Sequence, residues 1–206
     1  MKSPVYWTLV ITVMLNVAAG GYPEPAVVQG PDNWTAEVRF EHPQQIILQQ
    51  GTGAGAKFFW YTIITVMNRT GRDIDFYPVC ELVTDKFEVL SAGTGTTPQV
   101  FDLIKRRHQS RYPLLEPLEQ TDNRILEGED NAKDIAIIWP DCSRDATGFK
   151  IFISGLSNET AVVEHPITHR PVYLRKTLEL EYRLRGDPAV RSSLRCDYIG
   201  KRWVMR

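Results

Sequence analysis

Apolar and polar positions in this chain alternate mostly with the two-residue period of β-strands rather than the 3.6-residue period of helices. The cleanest run is 172–184, where Leu178, Leu180, Tyr182 and Leu184 share one parity and Glu179, Glu181 and Arg183 the other. That pattern predicts one buried face and one wet face, as in an antiparallel sheet covered on one side. Residues 58–68 read differently. Phe59, Tyr61, Ile63 and Met67 fall on one face and Trp60, Ile64 and Val66 on the other, so a central strand buried on both faces is predicted. Shorter strands are predicted at 36–40, 45–48, 81–84, 87–90, 135–139, 149–154, 160–163 and 202–204. Asn68-Arg69-Thr70-Gly71-Arg72-Asp73 supplies turn chemistry ahead of Ile74-Asp75-Phe76, which predicts a hairpin, and the glycines of 51–55 predict a loop.

Residues 91–134 break this rhythm. Residues 100–107 have helical spacing just after Thr97-Pro98, a good helix start, and Pro113 and Pro117 stop the helix from running on. Glu127 to Asp134 reads as a polar turn, and the whole stretch as an insertion or crossover between two sheets. Roughly eight or nine short strands without a βαβ rhythm predict an all-β fold, an immunoglobulin-like antiparallel β-sandwich with one short helical insertion. The Cys–Trp–Cys spacing of antibody domains is absent. The domain is expected to span 34–206, after an extended lead-in at 21–33.

The N-terminus carries a different pattern. Lys2 precedes an apolar run at 5–19, followed by small residues at Val17-Ala18-Ala19-Gly20. This is the plan of a secretory signal peptide over 1–20, cleaved after Ala19 or Gly20, which directs the mature chain to the periplasm or outside the cell. The alternatives are an uncleaved anchor or a buried core helix, but the run is short and polar against the roughly 20 residues a spanning helix needs. Removing Lys2 from the 24 basic residues leaves 23 against 25 acidic ones, a balance that gives no argument for nucleic acid as partner. The three cysteines, Cys80, Cys142 and Cys196, allow at most one internal disulfide. Spacing does not say which pair closes. Cys142–Cys196 is one candidate, and Cys80 reads as a small core hydrophobe.

Chemistry-bearing clusters are few. Glu164, His165 and His169 form the one close histidine group and could hold zinc, although Pro166 denies them a shared helical face. Glu127, Glu129, Asp130, Asn131 and Asp134 offer oxygen ligands to calcium without the spacing of an EF-hand. There is no G-x-S-x-G nucleophile motif. Lys105, Arg106, Arg107 and Arg111 form a basic cluster, and 170–206 carries ten basic against four acidic residues. Solvated faces account for both more simply than an anionic partner. Asn33, Asn68 and Asn158 each head an N-x-T triplet and are either turn residues or, in a eukaryote, glycan acceptors.

Phe59-Trp60-Tyr61 leading into 68–78 resembles the hairpin of secreted bacterial Ig-like domains. More closely, residues 128–134, Ile138-Trp139-Pro140, Phe149 with Ser154-Gly155-Leu156-Ser157, and the ending 201–206 resemble uncharacterised secreted proteins of planctomycete-type bacteria. The resemblance covers most of 58–206 and implies a secreted β-sandwich; it brings no catalytic residue with it. The expectation is therefore a non-enzymatic binding or structural module of the cell envelope, with an envelope protein or polysaccharide as partner and no cofactor. The strand at 58–68 and any open sheet edge are its expected contact surfaces. The alternative is a secreted metal-dependent hydrolase or metal-binding protein using Glu164, His165 and His169.

Overall fold

The computed structural model describes residues 26–28, 30–50, 54–187 and 194–206; the leader predicted at 1–20 and residues 51–53 of the predicted 51–55 loop lie outside them, while Ala54 and Gly55 of that loop are already strand. Two mainly antiparallel sheets pack face to face. In the smaller, β2 (Glu37–Phe40) and β3 (Gln44–Gln50) run end to end along one edge of β4 (Ala54–Asn68). On its other edge lies β10 (Gly128–Pro140), with the short parallel strand β8 (Glu116–Pro117) beyond it.

In the larger sheet, β7 (Val89–Ser91), β6 (Val79–Thr84), β11 (Gly148–Ser154), β13 (Pro171–Arg185) and β14 (Arg195–Met205) lie side by side. β12 (Thr160–Glu164) continues β11 along the same edge of β13. The Lys176 and Leu184 N–H groups bond the Glu159 and Thr147 carbonyls on that edge, while Arg175 and Arg206 exchange bonds on the opposite one. β1 (Ala26–Val27) pairs with β12, so part of the lead-in is a strand.

The two-sided strand at 58–68 is central. Trp60, Ile64 and Val66 face the larger sheet and pack in one core with Ile135, Ile137 and Trp139 of β10, Leu82 of β6, Ile151 and Ile153 of β11, and Leu178 and Leu180 of β13. Phe59, Tyr61 and Ile63 face the other way into a second core with Ala136, Ile138 and Leu115. That outer face is closed by α1 (Pro98–His108), whose Val100 and Ile104, four residues apart and so on one stripe, are fully buried against it. Burying each such aliphatic side chain stabilises the fold by about 1.5–3 kcal/mol. The molecule thus has three layers: helix, small sheet, large sheet.

Four expectations need correction. Ile74 and Asp75 form β5 (Ile74–Asp75), which pairs not with β4 but with β9 (Arg124–Ile125), at the end of the crossover. The supposed hairpin is replaced by this long-range pair, with Ile74, Phe76 and Ile125 all buried in the inter-sheet core. Residues 128–134 are not a turn but the first half of β10, irregularly paired between Gly128 and Lys133. Glu179 does not meet water: it is 4% exposed on the outer face of the large sheet. Finally, 58–68 offers no free edge for strand pairing, since both its edges are paired; its inner face is covered by the large sheet and its outer face by α1 except around Ile63 and Thr65.

The connection 155–159 between β11 and β12 staples the sheets together. Ala36 N–H bonds the Leu156 carbonyl, Thr35 bridges Ser157, and Trp34 N–H bonds the Asn158 side chain at 2.7 Å. Gly155 begins it with φ +83°, a conformation that L residues other than glycine rarely adopt.

Candidate functional site

α1 covers only part of the outer face of the small sheet. Past its C-terminal end, a cleft of about 350 Å³ opens, lined by Arg39, Glu41, Thr65, Arg111, Tyr112 and Asp134 with Ile63 at its floor. The sheet register builds one wall. Arg39, Thr65 and Asp134 are cross-strand partners on β2, β4 and β10, a polar row beside the apolar row that the helix covers. Thr65 Oγ1 donates to Asp134 Oδ1 at 2.6 Å.

Glu41 sits where β2 passes into β3, and its backbone is pinned to β4: its N–H bonds the Ile63 carbonyl and its carbonyl accepts from Thr62 Oγ1. The opposite wall comes from the end of α1. Arg111 and Tyr112 N–H groups both bond the His108 carbonyl, turning the chain back so that Tyr112 OH donates to Glu41 Oε1 at 2.6 Å and Arg111 Nη2 reaches the same oxygen at 2.8 Å. The Arg111 guanidinium also lies over the Tyr112 ring, 5.3 Å from its centroid. Burial and the hydrogen bond to Glu41 push the Tyr112 phenol up to about 12, so it stays a neutral donor.

Behind the cleft a second polar group is sealed beneath the helix terminus. Tyr61 OH donates to Gln44 Oε1 at 3.0 Å and lies 2.9 Å from His108 Nε2 and 3.3 Å from Arg107 Nη1. With the Tyr61 proton given to Gln44, the network assigns the His108 proton to Nε2. Burial, joined by the Arg107 and Arg111 cations, lowers the His108 pKa, and Glu41 only partly offsets them. The imidazole is therefore neutral near pH 7. Basic residues fill this last turn, where they also complement the helix dipole.

The candidates named from sequence separate here. Glu164, His165 and His169 lie in the exposed turn joining β12 and β13. His165 Nδ1 accepts the Ile167 and Thr168 N–H groups, which puts its proton on Nε2 and leaves no lone pair for a metal, while His169, at φ +55°, pairs with Glu164. The calcium candidates spread along β10: Asn131 caps the Glu127 carbonyl, Glu129 pairs with Arg69, and Asp134 belongs to the cleft. No cluster of three or more metal-ligating side chains occurs among the described residues.

Of the basic cluster, Arg111 is in the cleft and Arg107 behind it, while Arg106 bonds back to the Asp102 carbonyl. In 170–206, Arg202, Arg206 and Lys176 pair with Glu179, Glu81 and Glu159. Asn68 is fully buried and bonds the Arg72 and Ile125 carbonyls, Asn33 closes a local turn onto the Val28 carbonyl, and Asn158 bonds the distant Asp32 carbonyl and Trp34 N–H. All three sequon asparagines thus have structural work. Cys80, Cys142 and Cys196 are thiols, the first two buried and the third half-buried.

Arg39, Glu41, Thr65, His108 and Tyr112 were not singled out from sequence. The alternation in β2 does put Arg39 and Glu41 on one face, but nothing local announces Tyr112, which lies 71 residues from its partner Glu41. Comparison with family models, curated proteins and solved structures finds no match for this chain. Among the described residues no helix is long and apolar enough to cross a membrane.

Proposed function

We propose that this protein is a non-enzymatic binding module, exported to the periplasm or cell surface, whose immunoglobulin-like sandwich presents the cleft beyond α1 to a saccharide segment of an envelope polymer. The observation that carries this reading is the lining itself: carboxylates, hydroxyls and the Arg111 guanidinium held in place around one tyrosine wall, with the more exposed Arg39 beside them. Sugar hydroxyls both donate and accept, and a carboxylate beside a guanidinium meets both needs at adjacent positions. Catalysis is less well served. Glu41 already accepts from Tyr112 and Arg111, and His108 is turned away onto Tyr61, so neither is poised to take a proton from a ligand.

The test is a binding screen of the purified full chain against fragments of bacterial envelope polysaccharides, followed by calorimetry on any hit. Replacing Arg39 and Asp134 together, as Arg39→Gln and Asp134→Asn, is expected to weaken binding at least about tenfold, since each charge-assisted hydrogen bond contributes about 1.5–3 kcal/mol. The melting temperature should barely move, because Arg39 is mostly exposed and the amide oxygen left by Asp134→Asn can still accept from Thr65 Oγ1. A screen with no saccharide ligand, or a hit that the double variant binds as well as wild type, defeats the proposal.

A further inference from the structure

Cys142 lies in the loop that follows β10 of the small sheet and Cys196 in β14 of the large one, yet both pack into the core between the sheets. Cys196 is the register partner of Leu184 in the β13–β14 pair, so both side chains point to the same face of the large sheet, the core face. The Leu184 N–H, on the other edge of β13, bonds the Thr147 carbonyl at the end of the loop that follows β10. Cys142 lies in that loop, 5% exposed, in the same core cluster as Leu184, and Cys196 packs against that cluster. The loop is held on both sides of Cys142: Trp60 Nε1 donates to Asp141 Oδ1, and Ser143 N–H donates to Glu88 Oε2 at 2.7 Å. Burial above all raises the Cys196 pKa to about 12, and the negative charges of Cys142 and Asp197 add to it. Cys80 faces the same core but stands towards its other end: it is the register partner of Ile153, itself opposite Leu178 rather than Leu184.

We infer that Cys142 and Cys196 are a built disulfide site, a covalent cross-link from the small sheet to the C-terminal edge strand of the large one. In the step, a thiolate at Cys196 attacks one sulfur of an external disulfide and expels a thiolate; Cys142 then displaces the second. One S–S bond forms in the protein and the external one breaks; two electrons pass to the external disulfide, whose two sulfurs take up the protons that Cys142 and Cys196 give up and leave as thiols. The link closes a loop of about 55 residues, a length at which cross-linking removes much entropy from the unfolded chain.

The experiment equilibrates the full chain in buffers of rising oxidised to reduced glutathione, quenches with iodoacetamide under denaturing conditions, and maps peptides without reductant. The expected result is a Cys142–Cys196 linked peptide with Cys80 alkylated, and a melting temperature lower by roughly 10 °C after reduction. A Cys80→Ala variant keeps the link, which separates the pair from any scrambling through the core thiol. Three alkylated cysteines at the most oxidising ratio, a glutathione adduct on Cys196 in place of the link, or a bridge through Cys80 overturns the inference.

Discussion

Glu179 gives the sharpest test of the large sheet's outer face. Its side chain is 5% exposed, and its carboxylate is held by Lys150 Nζ at 2.9 Å from β11 and by Arg202 Nε and Nη2 at 3.0 and 3.1 Å from β14, so one buried anion links three strands. Burial alone would raise its pKa; the bonds from Lys150 and Arg202 outweigh that and hold the carboxyl below its usual value. Glu179→Gln keeps the shape and removes the charge. A fully buried pair broken this way costs about 3–5 kcal/mol. Here Lys150 and Arg202 are 35% and 63% exposed and can turn to water, and Lys150 keeps Glu181 at 3.5 Å. The expected loss at pH 7 is therefore smaller, about 1–2 kcal/mol.

A depressed carboxyl pKa stabilises the fold above the unfolded value, near 4.3, and that contribution fades as pH falls through the folded pKa. Wild type and variant should thus converge in acid. Glu159 is held low by Lys176 and Asp85 by Thr147 against the effect of burial, and both remain in the variant, so only the difference between the two proteins isolates Glu179. Urea unfolding at pH steps from neutral to about pH 2.5 reads that difference directly. A gap that stays constant with pH, or a variant as stable as wild type at pH 7, refutes the reasoning.

Two further substitutions probe the core and the staple between sheets. Trp60 Nε1 has Asp141 as acceptor, whereas Trp139 Nε1 is buried without a hydrogen-bond partner among the described residues; Trp60→Phe should therefore cost about 1 kcal/mol more than Trp139→Phe in chemical denaturation. Equal costs, or the reverse order, would contradict that assignment. Gly155→Ala places a Cβ 2.4 Å from the Tyr77 carbonyl oxygen at φ +83°, and should lower stability by about 2–4 kcal/mol, seen as a fall in melting temperature of several degrees. A change within about 0.5 kcal/mol would mean that 155–159 does not hold the sheets as described.

What the sequence revealed and what it hid divide along sequence distance. The two-sided pattern of 58–68 needed no partner to be read, because a strand buried on both faces can only be central; the helix on one side and the second sheet on the other account for its two apolar faces. The alternation of 178–184 was equally legible, except at Glu179. Its burial depends on Lys150 and Arg202, whose reach across neighbouring strands is set by register and not by local pattern. Residues 128–134 misled for the opposite reason: they belong to the strand while Glu129, Asp130 and Asn131 are exposed at the rim of the sheet, so composition alone says turn.

The cleft combines both difficulties. Asp134 was legible only as one of several acidic residues and Arg111 only as one of several basic ones, because a solvated charge and a positioned charge look alike in sequence. Register distinguishes them. Asp134 is set opposite Thr65, and Thr65 opposite Arg39, at the point where α1 ends and the small sheet is left uncovered. A polar row on a sheet face otherwise roofed by Val100 and Ile104 is not a requirement of the core, since a helix one turn longer with an apolar row beneath it would bury more surface. The fold instead forgoes that burial, and fixes the head groups of Glu41, Thr65, Arg111, Tyr112 and Asp134 with internal bonds. Such prior bonding lowers the entropy lost when a ligand is taken up, which is why the cleft is better suited to recognition than an equal number of unanchored surface charges.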